Sequence, residues 1–120
     1  MYQQNEIKIS DSEWLILQVI WSKSPIYMGD IVKALNHTPW ARTTIQTMVA
    51  RLVTKKILGA NAAGYAFLYF PLISKEEAVK MYTKSFIDQV YCGDASALVT
   101  TIASGDYLTP QEKKVVKKSL

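Results

Sequence analysis

Arg42, Thr43, Gln46, Thr47, Ala50, Arg51 and Thr54 fall within the stretch WARTTIQTMVARLVTKK, spaced so that a helix carries them all on one side. They offer guanidinium groups, hydroxyls, an amide and a methyl, and no carboxylate. In the same stretch Ile45, Met48, Val49, Leu52 and Val53 repeat at helical intervals and supply an apolar stripe for the opposite side. A polar face of this kind can donate to phosphate oxygens. In a duplex major groove it also finds matching base edges, Arg for guanine, Gln for adenine, and threonine and alanine methyls for thymine.

The charge around these residues has the same bias. Between Ile31 and Lys75 there is no Asp or Glu, whereas Lys33, Arg42, Arg51, Lys55, Lys56 and Lys75 all fall in that window, within a chain of net charge +4. Solvated surfaces usually mix both signs, because one sign alone repels itself, so the acid-free window points to a polyanionic partner.

Other chemistry has no support. The single cysteine, Cys92, excludes an internal disulfide framework, and the single histidine, His37, is too distant from it in sequence to suggest a metal pair. No C-x-x-C, H-E-x-x-H, G-x-S-x-G or P-loop pattern occurs, and the five glycines are scattered, so neither an enzyme nor a cofactor or metal is expected. The longest apolar run, Trp14 to Trp21, is interrupted by Gln18 and too short for a bilayer, and the N-terminus does not resemble a signal peptide. The expectation is a cytoplasmic protein of 120 residues, with 49% apolar residues sufficient for a core.

The elements that must position the polar face are marked by their caps. Ser10…Glu13, Ser74…Glu77 and Thr109…Glu112 match capping boxes, and Asp94 can cap alone. A first helix is expected from about Asp11 to Ser22, with Trp14, Leu17, Val19, Ile20 and Trp21 inward, ending before Ser24-Pro25. A second runs roughly from Met28 to Leu35, and the third, after the turn at Asn36 to Pro39, begins near Arg42. The period then changes: Ile57 to Asn61 and Tyr65 to Phe70 read as two strands around Ala62-Ala63-Gly64, with Tyr65, Phe67 and Tyr69 on one face and Ala66, Leu68 and Phe70 on the other. Three helices and a hairpin are the order of a winged helix-turn-helix domain, in which the third helix enters the major groove.

Beyond Pro71 three more helices are expected: one ending at Cys92-Gly93, one from about Ala95 to Ser104, and one from Pro110 into Lys113, Lys114, Lys117 and Lys118. This region is too small to hold a core alone, so Tyr82, Phe86, Tyr91, Leu98, Val99 and Ile102 are expected to bury their stripes against a second copy rather than within a monomer. The fold class is mainly α with a small β-hairpin, with a winged-helix domain over residues 1–72 and a helical dimerisation domain over 73–120.

The segments ISDSEWLILQVIW, TIQTMVARLVTKKIL and FIDQVYCGDASALV, in that order, resemble the penicillinase and methicillin-resistance repressors, whose copper-responsive relatives share the DNA-binding half. The resemblance implies a homodimeric repressor on a pseudo-palindromic, double-stranded operator of a resistance operon. Contacts would come from Arg42, Thr43, Thr44, Gln46, Thr47, Arg51, Lys55 and Lys56. It also implies release through a protease linked to a β-lactam sensor, with the scissile bond at Thr101-Ile102, where this chain replaces the usual Asn-Phe pair. The paired C-x-C motifs of the copper-responsive members are missing, Gln46 stands where arginine is common, and the wing tip Asn61-Ala62-Ala63-Gly64 has no basic residue. The competing reading is a winged-helix module that docks a partner protein without reading DNA, and a hydrolase stands third.

Overall fold

A computed structural model describes residues 8–119. The elements follow in the order α1 (Asp11–Lys23), β1 (Ile26–Tyr27), α2 (Met28–Ala34), α3 (Arg42–Thr54), β2 (Leu58–Ala63), β3 (Ala66–Pro71), α4 (Lys75–Val90), α5 (Ala95–Ser104) and α6 (Pro110–Ser119). The caps legible in the sequence all form. Ser10 Oγ accepts from the Glu13 amide at 3.2 Å while the Ser10 amide donates to Glu13 Oε1 at 2.9 Å. Ser74 with Glu77 and Thr109 with Glu112 repeat the exchange. Asp94 accepts from the Ser96 hydroxyl at 2.6 Å and the Ala97 amide at 3.2 Å, and these bonds, the hydroxyl foremost, hold its carboxyl below the ordinary aspartate pKa.

The chain divides into two compact units, Met1–Val79 and Lys80–Leu120. In the first, Ile16, Leu17 and Ile20 of α1, Ile31 and Leu35 at α2, Ile45, Met48, Val49 and Leu52 of α3, and Ile57 and Leu58 entering β2 make one buried core. Ile16, which the expected inward set omitted, is fully buried, whereas Trp14 and Trp21 are half-buried at its edge, with ring centroids 5.8 Å apart. The indole N–H explains the position of Trp21: it needs an acceptor, and it finds the Ile73 carbonyl at 3.0 Å, tying α1 to the segment after the sheet.

Helix α3 stops in a Schellman motif. The Ile57 amide donates to the Leu52 carbonyl and the Lys56 amide to that of Val53, both at 3.0 Å, with Lys56 left-handed at φ 63°. Ile57 and Leu52, the pair that this motif brings together, are both fully buried, which offsets the strain of a non-glycine residue at that φ. The turn therefore aims β2 back along α3.

The sheet differs from the expected two-stranded hairpin in two ways. It has three antiparallel strands in the order β1-β3-β2, with Ile26 and Tyr27 paired to Tyr69 and Leu68. A two-residue strand has no periodicity to reveal it. The hairpin is also tighter than expected: Ala63 pairs with Ala66, so the turn is Gly64-Tyr65, and Ala62 and Ala63 belong to the strand while Tyr65 leaves it. Gly64 sets this turn, because it alone of the pair has positive φ, at 66°, as a type II′ turn requires at its first central position. Gly59, opposite Phe70, lies under that ring: a Cβ there would come within 2.4 Å of Phe70 Cζ.

The second unit is held locally. The Tyr91 hydroxyl donates to Thr101 Oγ1 at 3.0 Å and Phe86 meets Tyr91 edge-on at 5.9 Å. Among the described residues of this unit no hydrophobic side chain is fully buried, while Tyr82, Phe86, Val90, Val99, Ile102, Tyr107 and Val115 are all exposed. Between α5 and α6 lies an apolar groove of about 400 Å³, lined by Val99, Ile102, Ala103, Leu108 and Val116, with Lys113 and Lys117 at its sides.

Candidate nucleic-acid interface

Helix α3 buries Ile45, Met48, Val49 and Leu52, and this fixes which residues face out. Arg42, Thr43, Thr44, Gln46, Thr47, Ala50, Arg51 and Thr54 are all exposed. They form two adjacent rows at intervals of four residues: Arg42, Gln46, Ala50 and Thr54, then Thr43, Thr47 and Arg51, with Thr44 at the far edge. The first row borders a groove of about 700 Å³ whose other wall is the sheet, through Tyr27, Ala60, Ala66, Phe67 and Tyr69. The second row lies outside that groove. Phe67 and Tyr69 share one face of β3, as their alternation implies, and that face turns toward α3.

Most of these side chains are uncommitted. Among the described residues, Arg42, Thr44, Gln46 and Arg51 have no intramolecular side-chain hydrogen bond or ion pair. Thr47 Oγ1 donates to the Thr43 carbonyl at 2.9 Å and, being exposed, retains its capacity to accept. Such a surface carries unspent donors, two guanidinium groups and no acid. Ala50, in the middle of the exposed face, and Thr54 belong to it as much as their neighbours do; their small size gives no sequence signal beyond their place in the row.

Lys55 and Lys56 are placed differently. Lys56 is exposed in the turn after α3. The Lys55 ammonium donates to Glu13 Oε1 at 2.7 Å and to the Lys8 carbonyl at 2.8 Å, so it closes the C-terminus of α3 onto the capping box of α1. Glu13 is nearly fully buried, and desolvation pushes its carboxyl up, but the bond from Lys55 and those from Ser10 together outweigh this and leave its pKa below the ordinary 4.5. A depressed carboxylate stabilises the fold above its unfolded pKa, and that contribution is lost as the pH falls through the lower folded value. Lys55→Ala is therefore expected to cost about 2 to 3 kcal/mol in urea unfolding at neutral pH, less than for a fully buried pair because Lys55 keeps part of its surface in water. The difference from the unsubstituted protein should close only as the pH falls through the lowered folded pKa of Glu13, below which the carboxyl is protonated in both. A variant as stable at neutral pH would show that the pair contributes nothing.

Among the described residues no group of His, Cys, Asp and Glu is arranged to hold a metal ion, and no helix is long and apolar enough to cross a membrane. The bond Thr101-Ile102 lies inside α5, where the Thr101 carbonyl accepts from the Gly105 amide at 3.1 Å and Thr101 Oγ1 bonds the Ala97 carbonyl at 3.0 Å.

This geometry has close counterparts. The family described as Penicillinase repressor matches residues 9–120. The penicillinase repressor of Bacillus licheniformis is 33% identical over 88% of this chain and 83% of its own length, and the Methicillin resistance regulatory protein MecI of Staphylococcus aureus is 25% identical over 94% of this chain and 93% of its own. The solution structure of the DNA binding domain of the repressor BlaI superposes with a TM-score of 0.55 at 35% identity, covering 64% of this chain and 93% of that one. The Bacillus licheniformis BlaI monomeric form in complex with the blaP half-operator gives 0.53 at 38% identity over 59% of this chain and 88% of that one. The family match over residues 9–120, the identity to the Bacillus licheniformis repressor and the winged-helix core shared with the BlaI DNA binding domain place the chain in the penicillinase repressor family, which is a family of transcriptional repressors and not of enzymes.

Proposed function

We propose that the protein is a homodimeric repressor that binds a pseudo-palindromic operator through α3, with residues 1–72 reading DNA and 73–120 pairing the subunits. The observation that carries this reading is the exposed face of α3, which combines free donors, two arginines and no carboxylate beside the groove toward the sheet. The BlaI relative bound to its half-operator supports the same use of the corresponding domain. Arg42, Gln46, Thr43 and Thr47 serve base edges, with Thr44, Arg51 and Lys56 on phosphates; Lys55 contributes mainly by holding α3 against α1. The operon is of the resistance type, and the protein acts in the cytoplasm.

Pairing through the tail is supported by the apolar surface that α4, α5 and α6 leave exposed, to which Tyr82, Phe86, Val99 and Ile102 contribute. A two-fold pair presents two copies of α3, so half-sites should lie one helical turn apart or a multiple of it. Release follows cleavage at Thr101-Ile102 by a protease linked to a sensor. Because that bond is helical, cleavage requires α5 to unwind locally, so its rate should follow the opening of this helix.

Thr47→Ala tests the reading at one side chain. It is expected to weaken the operator by about 1 to 3 kcal/mol, leaving random-sequence DNA unaffected, in fluorescence-anisotropy titrations of both duplexes. Equal losses on the two would put Thr47 on phosphate. Binding that ignores salt while a protein partner is captured would favour the protein-docking module instead.

A further inference from the structure

The wing has the right position for a DNA contact and none of the usual chemistry. Residues 57–71 contain no Lys, Arg, Asp or Glu. At its tip, Tyr65 occupies the second central position of the II′ turn and its side chain is fully exposed, so it packs against nothing in the chain. Nothing in the hairpin requires an aromatic residue there, since turn chemistry is satisfied by Gly64. Phe67 and Tyr69, two and four residues further on in β3, line the groove whose opposite wall is Arg42, Gln46, Ala50 and Thr54. Tyr65 thus stands at the tip of the hairpin whose strand β3 borders the exposed face of α3.

We propose that Tyr65 is a DNA-positioning residue. With α3 in the major groove, the strand bordering that groove passes the wing, and Tyr65 lays its ring on a deoxyribose and donates its hydroxyl to a phosphate oxygen. The contact is electrically neutral, so it fixes the orientation of the domain without displacing a counterion. This rests on the repressor reading and adds to it a specific consequence: the wing contributes affinity that salt does not remove.

The test uses the full chain and duplex DNA from the promoter upstream of its own gene, titrated across a salt series. Tyr65→Phe is expected to weaken binding roughly tenfold, as for loss of a hydrogen bond to a charged group, and Tyr65→Ala by more, because the ring is lost as well. The slope of log affinity against log salt should be unchanged in both. Tyr65→Lys should recover the affinity while steepening that slope by about 0.9, the signature of one new ion pair with phosphate. Because the side chain is fully exposed, all three variants should melt with the unsubstituted protein, so a lost fold does not account for lost binding. Unchanged affinity in Tyr65→Ala, or a loss accompanied by a shallower slope, overturns the proposal. Failure of the unsubstituted chain to bind the duplex would instead overturn the repressor reading, before any substitution is compared.

Discussion

Replacing Ile102 with aspartate is expected to turn the protein into a monomer and to lower operator affinity by roughly a hundred- to ten-thousandfold, the range gained when two binding modules are linked. Ile102 lines the apolar groove between α5 and α6 and is exposed in the single chain, so a carboxylate there is harmless to an isolated subunit. In a pair it would be taken out of water without a partner, which is among the costlier single changes an interface can suffer. Sedimentation separates the two states directly, and circular dichroism should show the helices intact. A variant that remains a dimer at micromolar concentration would show that the pairing surface lies elsewhere in the tail.

Ala50→Glu is the second large effect. Ala50 sits in the middle of the exposed face of α3, flanked by Gln46 and Thr54 in its own row and by Thr47 and Arg51 in the next. Glutamate is a good helix former and the site is open, so the core formed by Ile45, Met48, Val49 and Leu52 is untouched. Its charge, however, would be held between two lines of phosphates. Affinity should fall at least about a hundredfold on operator and random duplexes alike, since like-charge juxtaposition costs several kcal/mol. Gel-shift titration of both duplexes, with thermal unfolding to confirm the fold, reads the result. A loss confined to the operator would mean that Ala50 faces a particular base without close approach to the backbone.

These predictions rest on features of unequal legibility. The helices were readable to within a residue or two because their caps are short-range chemistry: Ser10 with Glu13, Ser74 with Glu77 and Thr109 with Glu112 each meet across three residues. The inward stripe of α3 was readable for the same local reason, and its outward face followed as the complement. Strand β1 was not, because two residues carry no period and their pairing partners, Leu68 and Tyr69, lie some forty positions away. The hairpin turn was misplaced by two residues because three small residues precede Gly64 and any of them suits a turn by composition; only the ladder from Ala63 to Ala66 decides. Lys55 illustrates the limit for the site. On the sequence it is one more cation after a basic helix, and its tie to Glu13 across forty-two positions exists only once α1 and α3 are packed.

Protection of guanine N7 atoms from dimethyl sulfate, on the promoter DNA upstream of the gene, tests the central claim most directly, because N7 lies in the major groove. The account predicts two protected major-groove segments, related by an approximate two-fold and spaced by a whole number of helical turns, with both lost in Ala50→Glu. Bound protein that leaves every N7 reactive, or protection that survives that substitution, would contradict it.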